Sequence, residues 1–251
     1  MLKFISQNVE IAYETAGNPA NPPILLIHGF GSTHINNWVQ PGWVEFLLNA
    51  GYFVVMFDNR GHGMSQKLYD SADYDVHKMA DDAHNLMVHL NIKKYNVLGY
   101  SMGARISAFV AMQNPASVKR VILGGLGYNI IDGTPGVQQI ANGLFANTLE
   151  DVKDKLGRMF RIFADHTGSD RKALAACILS PRRVMLEAEV KSIKQPVLVA
   201  IGTVDDVAGD GPMLTNLLSD ATFLSIPKRD HMRATGDKVF KNGVAEFLVL
   251  V

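Results

Sequence analysis

Five consecutive residues, Gly99-Tyr100-Ser101-Met102-Gly103, set a serine hydroxyl between two glycines. A serine can attack a carbonyl carbon, but it is a weak nucleophile until a base takes its proton and an acid orients that base. Glycine and serine are common, so the pattern alone carries little; its surroundings give it meaning. The short apolar run Tyr95-Asn96-Val97-Leu98 precedes it, and Ala104 to Met112 follows with helical spacing. Met102, Ile106, Phe109 and Val110 fall at i, i+4, i+7 and i+8. Strand, sharp turn and helix is the context that presents a serine Oγ at the end of a strand. Glycines on either side keep Cβ atoms from colliding in a strained turn. The same turn aims the Met102 N–H at the reacting centre, and the helix N-terminus behind it favours a developing oxyanion.

The elements that must position this serine are legible in the hydrophobic pattern. Ile24 to Ile27, Phe53 to Phe57, Tyr95 to Leu98, Val118 to Leu123 and Val197 to Ile201 are short apolar runs, mostly continuous rather than alternating. Such runs suit strands buried on both faces, as in a parallel sheet flanked by helices. Helical stretches such as Val76 to Leu90 lie between them, so the expected fold is α/β with a mostly parallel sheet. Leu2 to Ile5 and Val9 to Tyr13 read as an N-terminal hairpin, and Ala221 to Ile226 as the last strand. Between Leu123 and Val197 the rhythm stops. Leu149 to Phe163 and Arg171 to Cys177 are helical in pattern, and a loop of that length without structure is implausible. The expected division is a core of residues 1–127 and 194–251 with a helical cap insertion over 128–193.

These motifs together resemble the α/β-hydrolase superfamily, near its serine esterase, lipase and perhydrolase-like members. The resemblance covers nearly the whole chain, least distinctly in the insertion. It rests also on His28-Gly29-Phe30-Gly31-Ser32, directly after the strand Ile24 to Ile27, and on Asp58-Asn59-Arg60-Gly61-His62-Gly63-Met64-Ser65, similar to the D-x-R-G-x-G-x-S loop of these hydrolases. The resemblance implies that the first loop supplies an oxyanion-hole donor, the backbone N–H of Phe30, beside that of Met102. It implies that Asp58 and His62 buttress the site without catalysing, and that His28 is structural. Of the eight histidines (His28, His34, His62, His77, His84, His89, His166 and His231), only His231 follows both the last strand and the acid candidates, before a final helix of Asp237 to Leu248. That is the family's position for the general base. His77, His84 and His89 lie on or beside one polar helix and read as solvated. In related sequences the acid lies three residues after the glycine that ends the preceding strand, which selects Asp205 in Gly202-Thr203-Val204-Asp205-Asp206, with Asp206 the alternative. Asp230, next to His231, either raises that histidine's pKa or contacts only solvent.

The expected reaction is attack of Ser101 on a small carboxylic ester of short to medium acyl chain, through an acyl-enzyme released by water. The same three residues would serve a carbon–carbon bond hydrolase or a perhydrolase, and the same pocket a ligand-binding protein with little turnover. A serine rather than an aspartate nucleophile disfavours dehalogenase and epoxide-opening chemistry, which need a carboxylate. Leu144, Phe145, Leu156, Met159, Phe160, Ile162 and Phe163 of the insertion divide between lining the entrance and packing.

Bulk properties agree. The 251 residues are 47% hydrophobic, enough for one large core. Lys plus Arg and Asp plus Glu are 24 each, so nothing draws nucleic acid or an anionic membrane; a small-molecule acyl substrate is the expected partner. One cysteine, Cys177, excludes an internal disulfide and reads as a packed apolar side chain. No metal or cofactor is expected, and no G-x-x-x-x-G-K motif is present. Residues 1–7 are too short and too soon polar for a signal peptide, so a cytoplasmic protein is the expectation.

Overall fold

Continuous apolar runs become strands covered on both faces. The computed structural model describes residues 1–181 and 183–249. The chain runs β1 (Leu2–Ser6), β2 (Val9–Ala16), β3 (Pro23–Ile27), α1 (Trp43–Asn49), β4 (Phe53–Phe57), α2 (Val76–His89), β5 (Tyr95–Tyr100), α3 (Met102–Gln113) and β6 (Val118–Gly124). Five helices follow: α4 (Asn129–Asp132), α5 (Val137–Phe145), α6 (Lys155–His166), α7 (Arg171–Ile178) and α8 (Glu187–Ser192). The chain then returns through β7 (Val197–Gly202), α9 (Gly211–Leu217), β8 (Ala221–Ile226) and α10 (Lys238–Val249). The sheet has eight strands in the order β1-β2-β4-β3-β5-β6-β7-β8. Its first two strands pair antiparallel, and β3 to β8 pair in parallel. No described helix is long and apolar enough to cross a membrane.

The two-residue period of the strands sorts their side chains into two cores. Leu25, Ile27, Val55, Phe57, Val97 and Val121 face Met79, Leu86, Ile106 and Phe109 of α2 and α3. Ile24, Leu26, Val54, Met56, Leu98 and Ile122 face Trp43, Leu47, Phe240 and Val244 of α1 and α10. Each such side chain contributes about 1.5–3 kcal/mol of burial, so the central strands are held rigidly and their C-terminal ends form a fixed platform.

Beyond β6 the described chain 128–193 holds helices and no strand. The longest of them starts at Lys155, later than the Leu149 expected from the apolar pattern. Asp154 caps α6 by accepting the Gly157 N–H (2.8 Å), while Asp151 takes the Thr148 N–H (3.1 Å) and hydroxyl (2.9 Å) in a separate turn. Local side-chain acceptors thus end the turn and start the helix at Lys155. The buried Arg105 of α3 ties this segment to the core by donating to the carbonyls of Ile130 (3.0 Å) and Asn129 (2.5 Å). A bidentate pair between buried Arg60 and Asp82 (2.7 and 2.9 Å) anchors the loop after β4 to α2.

Candidate active site

Ser101 sits where β5 turns into α3, with φ 55° and ψ −113°, a conformation that a non-glycine residue holds only when its surroundings impose it. Those surroundings explain both glycines of the motif. A Cβ at Gly99 would collide with the Gly103 carbonyl, and one at Gly103 with the Ile27 carbonyl of β3. The Ser101 N–H donates to Gly124 O (2.8 Å), tying the turn to the end of β6. Met102, the first residue of α3, contributes one of the N–H groups that a helix N-terminus leaves without an intrahelical acceptor.

His231 Nε2 lies 2.9 Å from Ser101 Oγ, and His231 Nδ1 lies 2.8 Å from Asp205 Oδ2. Asp205 is held from behind, because its Oδ1 accepts the N–H groups of Val207 (2.9 Å) and Ala208 (3.0 Å). Its carboxylate is fully buried and His231 nearly so. Asp206 points outward and is exposed, so the geometry brings Asp205 and not Asp206 to the imidazole. Asp230 turns away as well: its Oδ1 accepts the N–H groups of Met232 (3.1 Å) and Arg233 (2.8 Å), shaping the loop that carries His231.

The loop after β3 is braced by groups that sequence reasoning left as buttress or passed over. Asn59 donates its backbone N–H to His28 Nε2 (2.9 Å), which puts the ring proton on Nδ1, 2.8 Å from Gly29 O. Ser32 N–H approaches the same oxygen at 3.2 Å. Peptide planarity sets the Phe30 N–H opposite that carbonyl, so fixing Gly29 O fixes the direction of the Phe30 donor. Asn37, in a π-helical turn over Ile35–Val39, accepts the Gly29 N–H on Oδ1 (3.0 Å). His34 is completely buried and holds Asp58 Oδ1 through both its ring Nδ1 (2.7 Å) and its backbone N–H (2.8 Å). Burial alone would raise the Asp58 carboxyl, but these His34 contacts and nearby His28 hold it well below the usual carboxylate range. Tyr100, the second residue of the serine motif, has a positioning role that the motif does not announce. Its hydroxyl donates to the His231 carbonyl (2.6 Å), clamping the histidine loop to the strand that bears the serine. His77 packs edge-on against Phe109, and His84 lies 3.0 Å from the Tyr95 hydroxyl; both are half-buried rather than simply solvated.

Burial pushes the His28 imidazole down to about 4, with the Asp58 charge pulling back only in part. Burial, with the neighbouring His28, takes His62 to about 3. Both rings are therefore neutral in the folded protein at neutral pH, while in the unfolded chain they take up protons below their ordinary value of 6.5. Acid then favours the unfolded state, and stability is lost as pH falls from 6.5 through about 4 and about 3. The expected result is a urea midpoint that drops steadily between pH 7 and pH 4, with a shallower drop in His62→Phe. A midpoint constant over that range would contradict the assignment of neutral buried rings.

Two cavities meet at Ser101. The larger, about 390 Å³, is lined by Gly29, Asn37, Ser101, Phe163, His231 and Met232 among others. The smaller, about 40 Å³, lies beside Met102 and is closed by Leu126, Ile140 and Ile178. Phe30 and Phe160 wall both. Of the insertion's apolar side chains, Phe160 and Phe163 reach the cavity, Leu144 is buried, and Phe145 and Ile162 face solvent.

A family model described as the alpha/beta hydrolase fold matches residues 22–150, and the chain belongs to that family. A putative non-heme chloroperoxidase of Synechocystis sp. is 35% identical over 119 residues, 47% of this chain and 41% of that protein. The 3-oxoadipate enol-lactonase 2 of Acinetobacter baylyi is 24% identical over 244 residues, 90% of this chain and 88% of its own. Among solved structures, a hydrolase from Pseudomonas aeruginosa superposes with a TM-score of 0.81 at 20% identity, covering 99% of this chain and 98% of that one. At that identity the likeness concerns the fold alone.

Proposed function

We propose that the protein is a serine hydrolase that cleaves small carboxylic esters of short to medium acyl chain through an acyl-enzyme on Ser101. The observation that carries this reading is the hydrogen-bonded series Ser101–His231–Asp205 at the meeting point of two cavities. In this mechanism His231 Nε2 takes the Ser101 proton as Oγ bonds the carbonyl carbon, and Asp205 keeps the other ring proton on Nδ1. The N–H groups of Phe30 and Met102 hold the oxyanion. When the C–O bond breaks, the leaving oxygen takes the proton from Nε2. Water, deprotonated by the same histidine, then releases the acid and restores the serine. Residues 128–193 act as a cap that covers the cavities and sets access. The enol-lactonase similar over most of its length acts, by its name, on a cyclic ester, the same bond class.

The direct test is hydrolysis of p-nitrophenyl acetate and butyrate by the purified protein. Turnover far above the buffer rate at both lengths is expected. No turnover on these esters, on a lactone panel or on longer acyl chains would overturn the reading.

A further inference from the structure

The two cavities differ in which half of the ester they can hold, and the difference turns on His231. The histidine that receives the serine proton must hand it to the leaving oxygen, so the leaving group departs on the side where His231 Nε2 lines the wall. His231 lines the cavity of about 390 Å³. The cavity of about 40 Å³ is instead bounded by Met102, Arg105, Leu126, Ile140, Ile178 and Val207, beside the proposed oxyanion donor. An acyl chain attached to Ser101 and kept clear of His231 has that smaller space. Since one water needs roughly 10–15 Å³ on the same measure, the small cavity takes about three carbon-sized groups. The large one is within the ~300–1,000 Å³ range of pockets that enclose whole small molecules.

The small cavity is also stiff. Ile140 and Ile178 are almost completely buried, and Arg105 donates to the carbonyls of Asn129 and Ile130 directly behind it. By contrast, the wall of the large cavity includes His166 and the largely exposed Arg233, so it opens toward solvent and can follow a longer group outward. Packed interiors resist an added methylene far more than an open cleft does.

Resting on the serine-hydrolase reading, we propose that the substrates are esters of a short acid, acetyl to butyryl in size, with a bulky alcohol: the alcohol occupies the His231 side and the acyl group the Met102 side. Ile140 and Ile178 are then the residues that set acyl length.

Isomeric esters test this cleanly. Octyl acetate and methyl nonanoate have the same formula and similar hydrophobicity, with the ester reversed. The expected kcat/KM ratio favours octyl acetate by at least about 100-fold, since the nonanoyl chain is longer than a butyryl group and each methylene rejected by a closed pocket is worth roughly 10-fold or more. Ile178→Ala, which opens the small cavity, lowers that ratio about tenfold by raising the rate on methyl nonanoate. If that variant does not fold, the wild-type ratio decides alone. Equal rates, a preference for methyl nonanoate, or failure on both isomers while p-nitrophenyl acetate is cleaved would overturn the division of the cavities and leave the hydrolase reading standing. Failure on p-nitrophenyl acetate, on the lactone panel and on the longer acyl esters as well would instead defeat that reading.

Discussion

Ser101→Ala lowers kcat on p-nitrophenyl acetate by about 10⁶-fold, the magnitude expected when the nucleophile of an interdependent triad is removed. The substitution deletes one oxygen, whose partner is His231 Nε2 at 2.9 Å. Alanine has the same Cβ as serine, so the conformation at φ 55° costs the variant what it costs the wild type, and the folded structure is kept. Circular dichroism and the thermal midpoint therefore stay close to wild type while turnover vanishes. KM changes little if the substrate is held by the cavities rather than by Oγ. A variant that retains more than a few per cent of wild-type kcat would show that another group attacks the carbonyl.

Asp205→Asn is expected to cost about 10⁴-fold in kcat, by a proton placed on the wrong nitrogen. The Val207 and Ala208 N–H groups donate and so require an acceptor, which keeps the carbonyl of the new amide where Oδ1 stands. That turns the amide NH₂ toward His231 Nδ1, which must then accept. The ring proton moves to Nε2, the atom that faces Ser101 Oγ, and the histidine no longer takes the serine proton. Size and hydrogen-bond count are preserved, so stability should change much less than rate. Exposed Asp206 supplies the control, and Asp206→Asn is expected to stay within about twofold of wild type, as surface changes away from the chemistry do. A large loss in Asp206→Asn with a small one in Asp205→Asn would reverse the assignment.

Much of this arrangement could be read before any coordinates, because each legible part leaves a local mark. The strands show as apolar runs; Phe53–Phe57 and Ala221–Ile226 match their expected bounds to the residue, and most others end within a residue or two. The turn at Ser101 shows because two close backbone approaches, at Gly99 and Gly103, admit nothing larger than glycine. His231 and Asp205 were chosen by a resemblance in chain order, and the structure brings them to the serine.

The unread parts depend on partners distant in sequence. His34 and Asp58 are 24 residues apart, Tyr100 and His231 are 131 apart, and neither pair has a periodicity to betray it. Asn37 lies in no motif, yet its side chain fixes the Gly29 N–H. Helix α1, seven residues long, gave too short a pattern to separate from a loop, and it forms because Trp43 and Leu47 bury against the sheet. The bounds of α6 were obscured because apolar residues at Leu149 and Val152 continue the helical rhythm into a turn closed by Asp151.

Covalent labelling shows which side chain of the protein is the activated nucleophile. The protein is incubated with an aryl fluorophosphonate, which reacts with activated serines, and the adduct is located by intact-mass and peptide mass spectrometry. One adduct per chain is expected, on Ser101, formed at a rate that tracks loss of ester hydrolysis and abolished in Ser101→Ala. Loss of activity with Ser101 unmodified, or an adduct on another residue that accounts for the inhibition, would contradict it.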